Sequence, residues 1–437
     1  MKHILKKIVI AALTVEAKTA LRRHKPRVVA VTGNVGKTST KDAVDAILSQ
    51  AYGSDRVRKS QKSNNSEIGL PLAILGLETA WTSAGGWARN LWQGFLAAYV
   101  SRRFPDWLVL EVGADHPGDI EKVTKWLHPD VAVLTRMSDT PVHVEFFTDA
   151  RQVLQEKMFL ARAVRQGGTI VVNGDDPQFM SVIGTVAARR VLYGRAKGAE
   201  AQIASSEIDY DQAALPLPTG QRASIRVGGE TADIRLARVL GDHLVYPIAA
   251  ACAVAHALGI VGVAALAEAA FASFEAPRGR MSILRGANSS ALIDDTYNSS
   301  PLAAAEALRS LARLTLKGKK IAILGDMKEL GAATEKAHYE IGRQAGECLH
   351  TLVTVGPAAK YMVRGALDAG MSAERVMSFD DSEDAGLAIR ELVRAGDAVL
   401  VKGSQSMRME RASKLLLADP STAVDVLVRQ EDEWGRR

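Results

Sequence analysis

Ala30-Val-Thr-Gly-Asn-Val-Gly-Lys-Thr-Ser-Thr40 stands between an apolar, β-rich run, Arg27-Val-Val-Ala-Val31, and a helical run, Lys41-Asp-Ala-Val-Asp-Ala-Ile-Leu48. Strand, glycine-containing turn and helix in that order are the context a phosphate-binding loop needs. Gly33 and Gly36 allow backbone angles that a side chain forbids. The loop residues Gly33, Asn34, Val35, Gly36 and Ser39 can then turn N–H groups toward phosphate oxygens at the positive end of a helix. Lys37 is expected to reach the β- and γ-phosphates of ATP, and the Thr38 hydroxyl to hold Mg²⁺. The match is to the short form of the motif, with Val31 where the longer form has its first glycine.

Outward from the loop, 437 residues exceed one average domain, so two or three are expected. A 47% hydrophobic content supports sizeable cores. The net charge of +6 suits anionic substrates or an anionic surface and is too small to argue for nucleic acid. Cys252 and Cys348 form neither a metal-ligand spacing nor a disulfide framework, which points to a reducing cytoplasm. No apolar run reaches the roughly 20 residues that span a bilayer.

Residues 1–26 read as a basic, amphipathic helix, with Lys2, Lys6 and Lys7 ahead of Ile8–Val15 and Glu16 and Lys18 after it. Residues 81–104 hold Trp81, Trp87 and Trp92, half of the chain's six tryptophans, with Leu91, Phe95 and Tyr99 at helical spacing from Trp87. Arg89, Arg102 and Arg103 flank them. Both segments raise the expectation of peripheral contact at the inner face of a membrane; packing onto the domain is the alternative. Buried-strand runs at 107–113, 131–135 and 169–175 alternate with helical stretches, the pattern of a parallel sheet covered on both faces. From about 189 to 240, short alternating runs predict a small β subdomain. After Pro277-Arg-Gly-Arg280 the βα alternation restarts, which predicts a second, Rossmann-like domain. The fold class is therefore α/β, in three parts: residues 1–26, 27–276 and 277–437.

Glu111, His143, Glu145, Asp294 and Asp295 follow strands, on the side of an open α/β sheet where ligands bind, and Lys157 lies one helix beyond His143. Taken with the loop, they describe a metal–nucleotide cleft between two domains.

The chain resembles the Mur ligases, and within them the enzymes that add D-alanyl-D-alanine. The matching segments run from residue 28 to about 411: the loop, Asn64–Pro71, Leu110–Ala114, Pro117–Ile120, Val142–Glu145, Asn173–Pro177, Gly241–His243, Gly279–Arg280, Ile293–Asn298 with Pro301, Leu324–Gly331 and Val401–Ser404. The resemblance implies an ATP-dependent ligase that activates a carboxylate as an acyl phosphate for attack by an amine. It implies Thr38 and Glu111 at a first Mg²⁺ and His143 at a second. Lys157 would be carbamylated and so become a metal ligand, and Arg280 would sit near the γ-phosphate. Asp294 and Asn298 would contact the nucleotide, with Lys402 and Ser404 lining the acceptor side. The expected partners are a carboxylate donor, a muramoyl peptide, and a peptide or amino-acid acceptor, handled by a monomer.

Four departures accompany it. The family carries a UDP-gripping domain ahead of the loop strand, where this chain has residues 1–26. Leu244 follows His243 where the family has Asn, Asp115 replaces another Asn, and Phe147 stands where Gly is usual. Two further readings stay open: a ligase acting on another, lipid-linked donor, and a P-loop NTPase switch without ligase activity.

Overall fold

The computed structural model describes residues 2–61, 68–80, 83–137, 147, 149–272 and 277–431. Two sheets organise them. The first contains β1 (Arg27–Thr32), β2 (Val57–Lys59), β3 (Trp107–Glu111), β4 (Val131–Leu134), β5 (Thr169–Asn173), β6 (Arg189–Gly194), β7 (Ala201–Tyr210), β8 (Pro218–Val227) and β9 (Glu230–Ala237). Their order is β2-β3-β1-β4-β5-β6-β7-β8-β9. Strands up to β7 pair in parallel, and β7-β8-β9 continue the sheet antiparallel. The alternating runs after residue 189 thus extend the edge of the main sheet.

The pleat sorts the apolar residues into two cores. Val29, Val31, Val109 and Val133 face the loop helix (Lys37–Tyr52) and the alanine-rich helix (Asp242–Ala257). Val28, Ala30, Leu108 and Leu110 face the other way. There they meet Leu13, Ala17 and Ala20, one stripe of the first helix (Lys2–His24), all fully buried. The packing alternative therefore describes that stripe, while Ile8 and Val15 stay exposed. The aromatic segment is a helix (Ala84–Phe95) continued by a π turn (Leu96–Val100). Trp81 lies outside the described residues.

The second sheet contains β10 (Ser282–Gly286), β11 (Ser290–Asp295), β12 (Lys320–Gly325), β13 (Thr351–Val355), β14 (Val376–Phe379) and β15 (Ala398–Lys402), ordered β10-β11-β15-β12-β13-β14. All pairs are parallel except β10 with β11. β10 is an antiparallel edge strand that the sequence analysis did not identify. Among the described residues, no helix is long and apolar enough to cross a membrane.

Candidate active site

The loop after β1 folds as its glycines require. Gly36 sits at φ 85°, the left-handed region, as the N-cap of the loop helix. Gly33 lies at φ 147°, and a Cβ there would come within 2.0 Å of Thr135 Oγ1. That hydroxyl donates to the Val35 carbonyl at 2.7 Å. The N–H groups of Asn34 and Val35 donate to the Arg136 carbonyl, so they brace the loop against the end of β4. The N–H groups of the helix's first turn have no intrahelical acceptor and form the anion-facing end.

Lys37 Nζ donates to the carbonyls of Gly33 (2.9 Å) and Asn34 (3.2 Å). Burial lowers its pKa, nearby Glu111 and Asp115 oppose that, and Arg280 adds to it. Thr38 Oγ1 donates to Glu111 Oε2 at 2.9 Å, and the buried Ser60 hydroxyl accepts from the Glu111 N–H. A hydroxyl and a carboxylate oxygen in contact beside a phosphate-binding helix end form a hard-oxygen pair that fits Mg²⁺.

These residues line one side of a cavity of about 760 Å³ between the two sheets' domains. Asn34, Val35, Gly36, Lys37, Thr38, Ser39 and Glu111 come from the first domain. Arg280, Asn298, Lys402 and Ser404 face them from the second. His243 Nε2 and Asn34 Nδ2 are buried without a hydrogen-bond partner among the described residues. Burial lowers the pKa of the His243 imidazole and favours its neutral form, opposed by Asp295. Unpaired polar atoms in a wall of this volume fit a nucleotide ligand.

Asp294 does not reach the cavity. It shares its face of β11 with Leu292 and turns into the core, where Thr296 and Ser413 hydroxyls donate to its Oδ1 at 2.9 and 2.7 Å. Burial pushes its carboxyl up to about 7. The side chain at the cleft is Asp295, one residue on and hence on the other face of the pleat. Lys402 Nζ donates to Asp295 Oδ2 at 2.6 Å and to the Asn298 carbonyl at 2.9 Å, and the Met281 N–H donates to Asp295 Oδ1.

Lys157 sits in the helix Ala150–Arg162, outside the cavity lining and 4% exposed. Desolvation drops its pKa to about 7, with Lys37 lowering it further and Glu156 opposing. Glu156 is fixed by accepting N–H bonds from Gly118, Ile120 and Glu121. His143 and Glu145 lie outside the described residues. Among the described residues, no group of three His, Cys, Asp or Glu side chains is gathered for a metal.

Several cleft residues escaped the sequence analysis as site candidates. Lys328 and Glu329 line the cavity from within the Leu324–Gly331 motif, where their presence was the available signal. The Arg280 guanidinium lies over the Tyr297 ring, 4.3 Å from its centroid, and that of Arg429 is 5.9 Å from the same centroid. Arg429 also donates to the carbonyls of Thr296 and Tyr297 and pairs with buried Glu410 at 3.1 Å. Arg136, whose carbonyl braces the loop, bonds Glu306 of the second domain at 2.7 Å. No local pattern announces these pairs.

Comparison with known proteins follows the same two-part division. The Mur ligase middle domain matches residues 95–255, and the Mur ligase, glutamate ligase domain, matches 279–405. The chain is 27% identical over 412 residues to the UDP-N-acetylmuramoyl-tripeptide–D-alanyl-D-alanine ligase of Bacillus subtilis, covering 94% of this chain and 80% of that protein. It is 25% identical over 404 residues to the enzyme of the same name from Escherichia coli, covering 91% and 78%. The crystal structure of MurF ligase from Thermotoga maritima in complex with ADP superposes with a TM-score of 0.74 at 25% identity, over 95% of this chain and 84% of that one. Folylpolyglutamate synthase of Mycobacterium tuberculosis, complexed with ADP and AMPPCP, shares the fold with a TM-score of 0.66 at 18% identity, over 94% and 96%.

Proposed function

Because the chain belongs to the Mur ligase family, we propose that it joins D-alanyl-D-alanine to a muramoyl tripeptide in peptidoglycan precursor synthesis, acting as a cytoplasmic monomer. It is an ATP-dependent ligase. The observation that carries the proposal is the single cavity where the phosphate loop and the Thr38–Glu111 pair face Arg280, Asn298 and Lys402 across a domain boundary. A nucleotide switch has no need of that second wall.

When bound, ATP supplies the phosphoryl group that turns a carboxylate into an acyl phosphate, which an amine then converts to an amide with release of phosphate. The protein's task is to hold anions together. Lys37 and the first-turn N–H groups meet the phosphates. Thr38 and Glu111 would offer a first Mg²⁺ two oxygen ligands, and His143 would serve a second, with a carbamylated Lys157 as a further anionic ligand. Arg280 adds positive charge from the opposite wall. Asn298, with Asp295 in the role expected of Asp294, positions the nucleotide through Lys402, while Lys402 and Ser404 border the acceptor side. Closing the two walls excludes water from a labile acyl phosphate.

The test is phosphate release from ATP and Mg²⁺ with UDP-muramoyl-tripeptide and D-alanyl-D-alanine, added singly and together, with the product weighed by mass spectrometry. Release that needs both, with a pentapeptide product, supports the proposal. Turnover without either substrate favours the switch. ATP binding without phosphate release under any of these conditions moves the search to lipid-linked donors.

Tyr297 supplies a further prediction. Tyr297→Ala removes the ring beneath Arg280 and is expected to lower kcat up to about 30-fold, the equivalent of ~2 kcal/mol for a desolvated cation–π contact. Tyr297→Phe keeps the ring and is expected to keep kcat.

A further inference from the structure

We propose that the outer face made by the first helix and the aromatic helix docks on an anionic phospholipid bilayer. On the first helix, Ile8, Ala11, Val15 and Arg22 are exposed at i, i+3, i+7 and i+14, a single stripe. On the neighbouring helix and its π turn, Trp92, Phe95 and Tyr99 form an exposed ladder, 62%, 42% and 45% accessible. Their rings meet in succession, Trp92 stacked on Phe95 and Phe95 tilted against Tyr99, with centroids 5.8 and 4.9 Å apart. The stripes adjoin, since Thr19 Oγ1 lies 3.4 Å from Tyr99 Oη. Arg23 donates to the Ala98 carbonyl and His24 bonds that of Ala97, so the face is held rigid.

Charge selects the occupant. Residues 1–25 hold seven Lys and Arg against one acidic residue, and residues 83–104 hold three against none. This excess is larger than the net +6 of the whole chain, so the remainder is net acidic. The one acidic residue, Glu16, turns inward against Gly94, where burial pushes its carboxyl up to about 7. Amphipathic rings in a segment that carries Arg89, Arg102 and Arg103 and no Asp or Glu between residues 83 and 104 match the boundary between acidic headgroups and acyl chains. The face would lie on the bilayer without spanning it.

This rests on the surface alone and not on the reaction assigned above. The experiment is co-sedimentation of the full chain with vesicles of phosphatidylglycerol and phosphatidylcholine, against phosphatidylcholine alone, at low and high salt. We expect binding to the acidic vesicles only, lost at high salt. Trp92→Ser with Phe95→Ser should weaken it about tenfold or more, as should Arg102→Glu with Arg103→Glu. Phosphate release in solution should stay at the parent level in both variants, which also reports that they fold. No sedimentation with either vesicle overturns the proposal. So does binding that neither variant alters. A dimer by light scattering that Trp92→Ser dissolves would assign the face to a second copy of the chain and overturn it equally.

Discussion

Lys37→Met is expected to abolish ligation while leaving the fold intact. The Lys37 ammonium is the cation nearest the phosphate-binding turn, and in a site shielded from water one such group is worth on the order of 10²–10³ in rate. The substitution removes two hydrogen bonds, to the Gly33 and Asn34 carbonyls. It also removes a buried charge whose pKa burial already lowers, so the thermal midpoint should hold. Phosphate release with both substrates present and a melting curve check the two halves. Full turnover in the variant would remove the loop from the mechanism.

Lys157→Met is expected to make the protein more stable and inactive. The amine is desolvated and its pKa falls to about 7 from an ordinary value of 10.5. The sign follows from proton counting. Between pH 7 and 10.5 the unfolded chain binds the proton and the folded chain does not, so stability rises with pH across that window. Below pH 7 both states are protonated and the penalty on the fold is complete. Methionine removes the penalty. The variant's gain should therefore be largest at pH 7 and below, in buffer freed of carbon dioxide, and shrink toward pH 10.5. Each kcal/mol gained raises the midpoint by about 2–4 °C. Ligation by the variant should fall on the order of 10²-fold or more, as for loss of a metal ligand. A lysine half-neutral near pH 7 is also the form that reacts with carbon dioxide. Parent activity should then depend on bicarbonate and rise with pH through about 7. A variant that ligates normally would return Lys157 to a structural role.

The first helix and the aromatic helix mark how far pattern alone carries. Spacing identified both as helices, because a 3.6-residue repeat is a local property. It did not say which stripe is covered. Leu13, Ala17 and Ala20 are buried and Val15 is not, because the segments packed on that stripe, the helix Gly69–Leu75 and the aromatic helix with its π turn, come from tens of residues away in sequence. β10 went unseen for a related reason: five residues of weak alternation become a strand only beside β11.

In the site, Lys37, Thr38 and Glu111 were legible because the loop chemistry is written in consecutive residues or at a strand end. Asp294 was misdirected because Ile293-Asp-Asp-Thr offers two carboxylates and only the pleat determines which faces the cleft. Arg429 and Arg136 were invisible, since each acts on a residue more than 100 positions away.

By itself, then, the amino-acid sequence determined the βα alternation, the phosphate loop with its lysine and hydroxyl, and the family, all properties of short stretches and their order. Only the tertiary structure decided that Asp295 and not Asp294 meets the cleft, that Lys157 is deep enough to lose its charge near neutral pH, and that Tyr297 carries Arg280. Each of those depends on pleat, desolvation or contact between segments that are not adjacent in the chain, and such effects exist only once the segments are packed together.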